Sequence, residues 1–101
     1  MYYLLPMNTD SATLREIIRL PNRVDMIISP FFAEDLKQKI RPGVTLILDM
    51  ARTSFVDPAT TSVFLEGILR SQQEGATIVV KGMNAQVSQV FERAGLLPYF
   101  G

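Results

Sequence analysis

The chain contains neither cysteine nor histidine. Without cysteine there is no disulfide, no thiolate nucleophile and no zinc ribbon. Without histidine there is no Ser-His or Cys-His relay, no imidazole base and no ordinary histidine pH switch. Any catalysis would rest on carboxylates, lysine, arginine, tyrosine or hydroxyls. There is no surplus of charge either, because Lys+Arg 10 and Asp+Glu 10 cancel. That argues against a chain whose main task is to coat nucleic acid or an anionic membrane. No apolar run approaches the ~20 residues that span a bilayer. The apolar stretch Met1-Tyr2-Tyr3-Leu4-Leu5-Pro6 is short, follows no basic segment and soon meets Asp10, so it is not expected to act as a signal peptide. Together these absences predict a cytoplasmic domain that needs no cofactor, holds no metal and does not insert into a membrane.

What is present suits one domain over residues 1–101. Apolar residues make up 48% and charged residues 20%, the balance of a chain that buries a core. The stretch Ala12–Leu20, with Leu14, Ile17, Ile18 and Leu20, reads as a strand, and Pro21-Asn22 supplies a turn. Val24–Ile28 follows as a short strand or a buried connection. Ser29 and Pro30 predict a helix start, with Ser29 as N-cap and Pro30 as first helical residue. Phe32, Leu36 and Ile40 set its apolar face, and Pro42-Gly43 ends it.

Val44–Asp49 is the clearest strand, an aliphatic run expected to be buried on both faces. Ala51–Ser54 is a loop, and Phe55-Val56 leads into Asp57-Pro58, which predicts a second helix with Asp57 as N-cap. Thr61, Leu65, Ile68 and Leu69 are read as its buried face, with Phe64 at the margin and Gly75 at its end. Ala76–Lys81 is a further buried strand. Asn84 restarts a helix whose apolar positions are Val87, Val90, Phe91 and Ala94, and Gly95 closes it before the apolar tail Leu96–Phe100. This alternation predicts an α/β layer with right-handed crossovers and helices mainly on one face. The expected core includes Leu46, Leu48, Val79, Leu65, Leu69 and Phe91. Val44–Asp49 and Ile78–Lys81 are expected to be neighbouring strands, with the Asp57 helix crossing between them.

Few residues offer chemistry. Asp57, Thr60, Thr61 and Ser62 place a carboxylate and three hydroxyls where a strand ends and a helix begins, beside backbone N–H groups that suit an anion. A capped helix start with no function has the same residues, and that is the commoner case. Glu34 and Asp35 are adjacent on a helix, about 100° apart, and do not share a site. The methionines are scattered core fillers. No glycine-rich phosphate loop, metal-ligand spacing or aromatic-interleaved basic stretch occurs. The residues favour a binding module over an enzyme.

Several segments, in their order and spacing, resemble the STAS domain family, which includes bacterial anti-sigma factor antagonists and the C-terminal domains of sulphate transporters. They are Leu46-Ile47-Leu48-Asp49-Met50, Thr53-Ser54-Phe55-Val56-Asp57 with the helix that follows, Glu74-Gly75-Ala76, Ile78-Val79-Val80 and Ala94-Gly95-Leu96 to Phe100. Arg23-Val24-Asp25 is similar to the family's Gly-Arg-Leu-Asp element, with Asn22 in place of the Gly. The resemblance covers about residues 12–100. It implies a single STAS-like domain with a mixed four- to five-stranded sheet and about four helices.

It also implies a role in signal transduction and transcription regulation. In the family's partner switch an antagonist binds an anti-sigma factor that is a serine-threonine kinase. Phosphorylation of a hydroxyl in the Asp-Ser-Ser-Gly turn breaks the complex, and a PP2C-type phosphatase restores it. Here Asp57 matches the motif Asp, Pro58 falls on the first Ser, Ala59 on the usual phosphoacceptor and Thr60 on the Gly. Ala59 cannot be phosphorylated. Three readings stay open: a permanently unphosphorylated antagonist or scaffold, a displaced acceptor at Thr60 or Thr61, or a domain that has left the switch. Thr60 is the expected acceptor of the two, exposed near the third helical position, while Thr61 is expected on the apolar stripe. Asp25, Asp57, Pro58, Ala59 and Thr60 are the expected partner-binding residues. The alternative is a STAS-like accessory subunit of a lipid or solute transport ATPase.

Overall fold

The aliphatic run at the centre of the chain becomes the middle strand of a three-stranded sheet. The computed structural model describes residues 14–100. The apolar stretch Met1–Pro6 and the predicted strand positions before Leu14 lie outside the described residues. Five strands alternate with three helices: β1 (Arg15–Arg19), β2 (Arg23–Val24), α1 (Ser29–Lys39), β3 (Thr45–Asp49), β4 (Phe55–Val56), α2 (Thr61–Glu74), β5 (Thr77–Lys81) and α3 (Ala85–Arg93). Two 3₁₀ turns, Pro58–Thr60 and Leu97–Tyr99, complete the order.

The main sheet has the order β1-β3-β5, with Arg15, Thr45 and Thr77 in register at one end and Arg19, Asp49 and Lys81 at the other. As expected, β3 and β5 are neighbours and α2 crosses between them. A second, two-stranded sheet pairs β2 with β4. The five strands fall within the expected four to five but are divided into two sheets, three plus two, and every pairing among the described residues is parallel rather than mixed as expected. The reason is connectivity: each paired strand is reached through a helical crossover, and parallel pairing needs one. Three α-helices form among the described residues, where about four were expected.

Alternation along the strands puts Ile18, Leu46, Leu48 and Ile78 into one core with Phe32 and Leu36 of α1, Phe64 and Ile68 of α2, and Val87 and Phe91 of α3. The helices thus cover one face. A string of rings runs through this core: Phe32–Phe64 at 4.8 Å, Phe64–Phe91 at 4.8 Å and Phe91–Phe100 at 5.1 Å between centroids. Such pairs add about 0.5–1.5 kcal/mol each beyond burial.

The predicted buried face of α2 is corrected. Phe64, Gly67, Ile68 and Ser71 face inward, while Leu65 and Leu69 are 42% and 49% exposed. The helix is turned so that the large ring of Phe64 fills the centre. Gly67 lets α1 approach: a Cβ there would stand 3.0 Å from a Leu36 methyl. A glycine carries this contact, so the hydropathy pattern does not mark it. Val79 is only half-buried and Ala94 is exposed, against the expected core and helix faces. The start of α1 also differs. Ser29 is the first helical residue and Pro30 the second, and the N-cap position, Ile28, has no side-chain cap. The β2–α1 turn instead uses Asp25, whose Oδ1 accepts from the N–H groups of Ile27 and Ile28, both at 3.1 Å.

Candidate functional site

Parallel pairing of β2 with β4 brings two helix entries side by side. Arg23 is in register with Phe55 and Val24 with Val56, and the Asp57 N–H donates to the Val24 carbonyl at 2.9 Å. Asp25 and Asp57 therefore leave the ends of adjacent strands, one leading into α1 and the other into α2. Each caps its own turn; Asp57 Oδ1 accepts from the Ala59 N–H at 3.0 Å. At the other end of the ladder Ser54 Oγ donates to Asn22 Oδ1 at 2.6 Å, so the asparagine that replaces the resembled glycine ties β2 to the loop before β4. Between them, the Arg23 guanidinium lies 4.6 Å above the Phe55 ring centroid, a cation–π contact.

The order of burial of the two threonines is the reverse of that expected, although Thr61 is partly buried as expected. Thr60 is 1% exposed, and its Oγ1 donates to the Asp57 carbonyl at 2.7 Å. Thr61 is only half-buried, and its Oγ1 donates to the Pro58 carbonyl at 2.9 Å. The 3₁₀ turn over Pro58–Thr60 causes the reversal. It advances three residues per turn and rolls Thr60 inward before the α-helix begins. Pro58, Ala59 and Ser62 are exposed.

Two residues of the α3 entry hold this turn from behind. Gln86 Oε1 accepts from the Val56 N–H at 3.0 Å and Gln86 Nε2 donates to the Val56 carbonyl at 3.1 Å. Asn84 Oδ1 accepts from the Val87 N–H at 2.8 Å, while its Nδ2 donates to the Ser54 carbonyl at 3.1 Å. The N-cap role of Asn84 is legible in the sequence; the role of Gln86 has no sequence signal, because an amide in a helix usually faces water. A groove of about 370 Å³ separates the turn from α3, lined by Phe55, Pro58, Thr61, Gln89, Val90 and Arg93 among others.

Chemically the site offers a surface. Asp25 and Asp57 each spend an oxygen on backbone N–H groups, and no group of three or more potential metal ligands occurs among the described residues. No helix among them is long and apolar enough to cross a membrane. The model of the STAS domain matches residues 8–101.

The chain belongs to the STAS domain family.

Solved structures share its fold. The anti-sigma factor antagonist SpoIIAA in its unphosphorylated form aligns with a TM-score of 0.75 at 22% identity, over 89% of this chain and 81% of that one. The STAS domain of the SulP transporter from Vibrio cholerae aligns with a TM-score of 0.67 at 21% identity, over 87% and 69%. A sulfate transporter family protein from Wolinella succinogenes aligns with a TM-score of 0.65 at 18% identity, over 86% and 71%. No curated protein sequence matches the chain significantly. STAS domains are generally non-catalytic binding modules, which agrees with a site built from caps and exposed backbone turns.

Proposed function

We propose that this STAS domain is a cytoplasmic, non-enzymatic binding module of a bacterial partner switch, and that the paired helix entries are its partner surface. Asp25 and Asp57 shape the two turns, Pro58 and Ala59 present the contact, and Thr60 supports it from inside. The partner is an anti-sigma factor with serine-threonine kinase character, and a PP2C-type phosphatase would serve the reverse step where phosphorylation occurs. The observation that carries this reading is position 59. Ala59 is exposed, its N–H is held by Asp57, and it has no hydroxyl. A phosphate adds about −1.5 to −2 charge and breaks a close interface by repulsion and desolvation. A turn that cannot take one at this position supports a complex that the kinase does not dissolve.

Among the other turn hydroxyls, Thr60 is enclosed, which leaves Thr61 and the exposed Ser62 as the displaced acceptors to test. The experiment is intact-mass measurement after incubation with the cognate kinase and ATP, alongside co-purification of the complex. No mass gain and a persistent complex support the constitutive reading. A single phosphoryl gain that disappears in Thr61→Ala or in Ser62→Ala replaces it with a displaced switch.

A second reading, the accessory subunit of a transport ATPase, draws on the same missing hydroxyl, since such a subunit has nothing to switch. Co-purification with an ATPase and with no kinase would select it.

A further inference from the structure

We propose that the outer face of α1, with the turn before it, is a second docking surface, built for a protein segment that pairs an apolar side chain with lysine or arginine. Three large apolar side chains stand out of the fold within six residues of chain. Met26 is 59% exposed, Ile27 77% and Phe31 70%, more than any other large hydrophobic side chain among the described residues. They are not displaced core residues, because Ser29, Phe32 and Leu36 already fill the buried side of α1. Successive helical residues are about 100° apart, so Phe31 lies opposite that buried stripe. Glu34 and Asp35, three and four residues further on, flank it on the same exposed face.

The charge of this face selects the occupant. Neither Glu34 nor Asp35 has a cation within ion-pair distance among the described residues. Lys39, the natural i+4 partner of Asp35, is turned to Glu16 at 3.6 Å, where Arg41 also binds at 2.7 Å. The chain has no net charge, so an apolar cluster with two uncommitted carboxylates is a local feature. An anionic lipid surface would be repelled by those carboxylates. A basic and apolar segment satisfies both features: its apolar side chain covers Phe31 and Ile27, and its cation meets Glu34 or Asp35. This surface adjoins the proposed partner surface at the Asp25 turn and shares no residue with the Asp57 turn.

The test is a heteronuclear NMR titration of the full chain with two synthetic amphipathic helical peptides, one made of leucine and lysine, the other of leucine and glutamate. The proposal expects saturable shifts centred on Met26 to Asp35 with the lysine peptide and none with the glutamate peptide. The double variant Glu34→Lys, Asp35→Lys should weaken the lysine peptide by about tenfold or more, and Phe31→Ser should do the same. Both variants change exposed side chains, and unchanged dispersion of the remaining resonances shows that the fold is intact. Several results overturn the proposal: no saturable shifts, shifts centred elsewhere, equal binding of the glutamate peptide, or undiminished binding by the double variant. Sedimentation showing a dimer that Phe31→Ser dissolves, or attachment to phosphatidylglycerol vesicles lost in Phe31→Ser, overturns it in favour of those occupants.

Discussion

Gln86 completes the edge of a strand it does not belong to. Its side-chain amide makes both hydrogen bonds to the backbone of Val56, at 3.0 and 3.1 Å, as a neighbouring strand would. Val56 is fully buried, so these groups have little access to water. Gln86→Ala should destabilise the fold by about 1–3 kcal/mol through unpaired buried groups. Gln86→Glu should not restore this, because a carboxylate has no N–H for the Val56 carbonyl. Urea denaturation checks both, and faster exchange of the Val56 amide should accompany them.

Asp57 holds the turn through Ala59. Removing that cap in Asp57→Ala should cost about 0.5–2 kcal/mol, while Asp57→Asn, which keeps an accepting oxygen, should stay within about 0.5 kcal/mol of the parent. Thermal unfolding of the two variants measures the contrast. If Asp57→Asn retains stability but loses the partner, the carboxylate acts in binding beyond its capping.

Ile68 and Leu69 are adjacent in α2, one buried and one 49% exposed. Ile68→Ala should cost about 2–5 kcal/mol, the range for truncating a packed aliphatic side chain. Leu69→Ala should stay within about 0.5 kcal/mol, as most surface changes do. Equal effects in denaturant would show that α2 is rotated from the arrangement described here.

The order of strands and helices is legible because the aliphatic run Leu46–Leu48, the Asp57-Pro58 start and the Asn84 start are local signals. Even the adjacency of β3 and β5 follows from a helix that must cross between parallel strands. The rotation of α2 is not legible. It turns on Gly67 accepting Leu36, and glycine leaves no mark in a hydropathy pattern. The same holds at the turn, where Asp-Pro announces a helix entry but says nothing of the 3₁₀ step that buries Thr60. Gln86 escapes because its partner is backbone, about thirty residues away in sequence.

Gly82 has a positive φ of 80°, and a Cβ there would stand 2.8 Å from the backbone of Ala51. Gly82→Ala should therefore destabilise by more than the roughly 1 kcal/mol of a left-handed alanine alone, since the β3–β4 loop would have to move. The shift of the denaturation midpoint gives the size. A neutral result would mean that the loop gives way freely.

Every strand pairing among the described residues spans about thirty residues, from Arg15 to Thr45, from Thr45 to Thr77 and from Arg23 to Phe55. No hairpin among the described residues can form early and template the rest, so large loops must close before any ladder bond repays them. The chain should therefore fold more slowly than a helical bundle of its size, through a transition state in which β3 has already met a distant partner. Circular permutation that placed two of these strands next to each other through a short turn would not speed it up. Such a turn reverses the chain, and these neighbours run in the same direction.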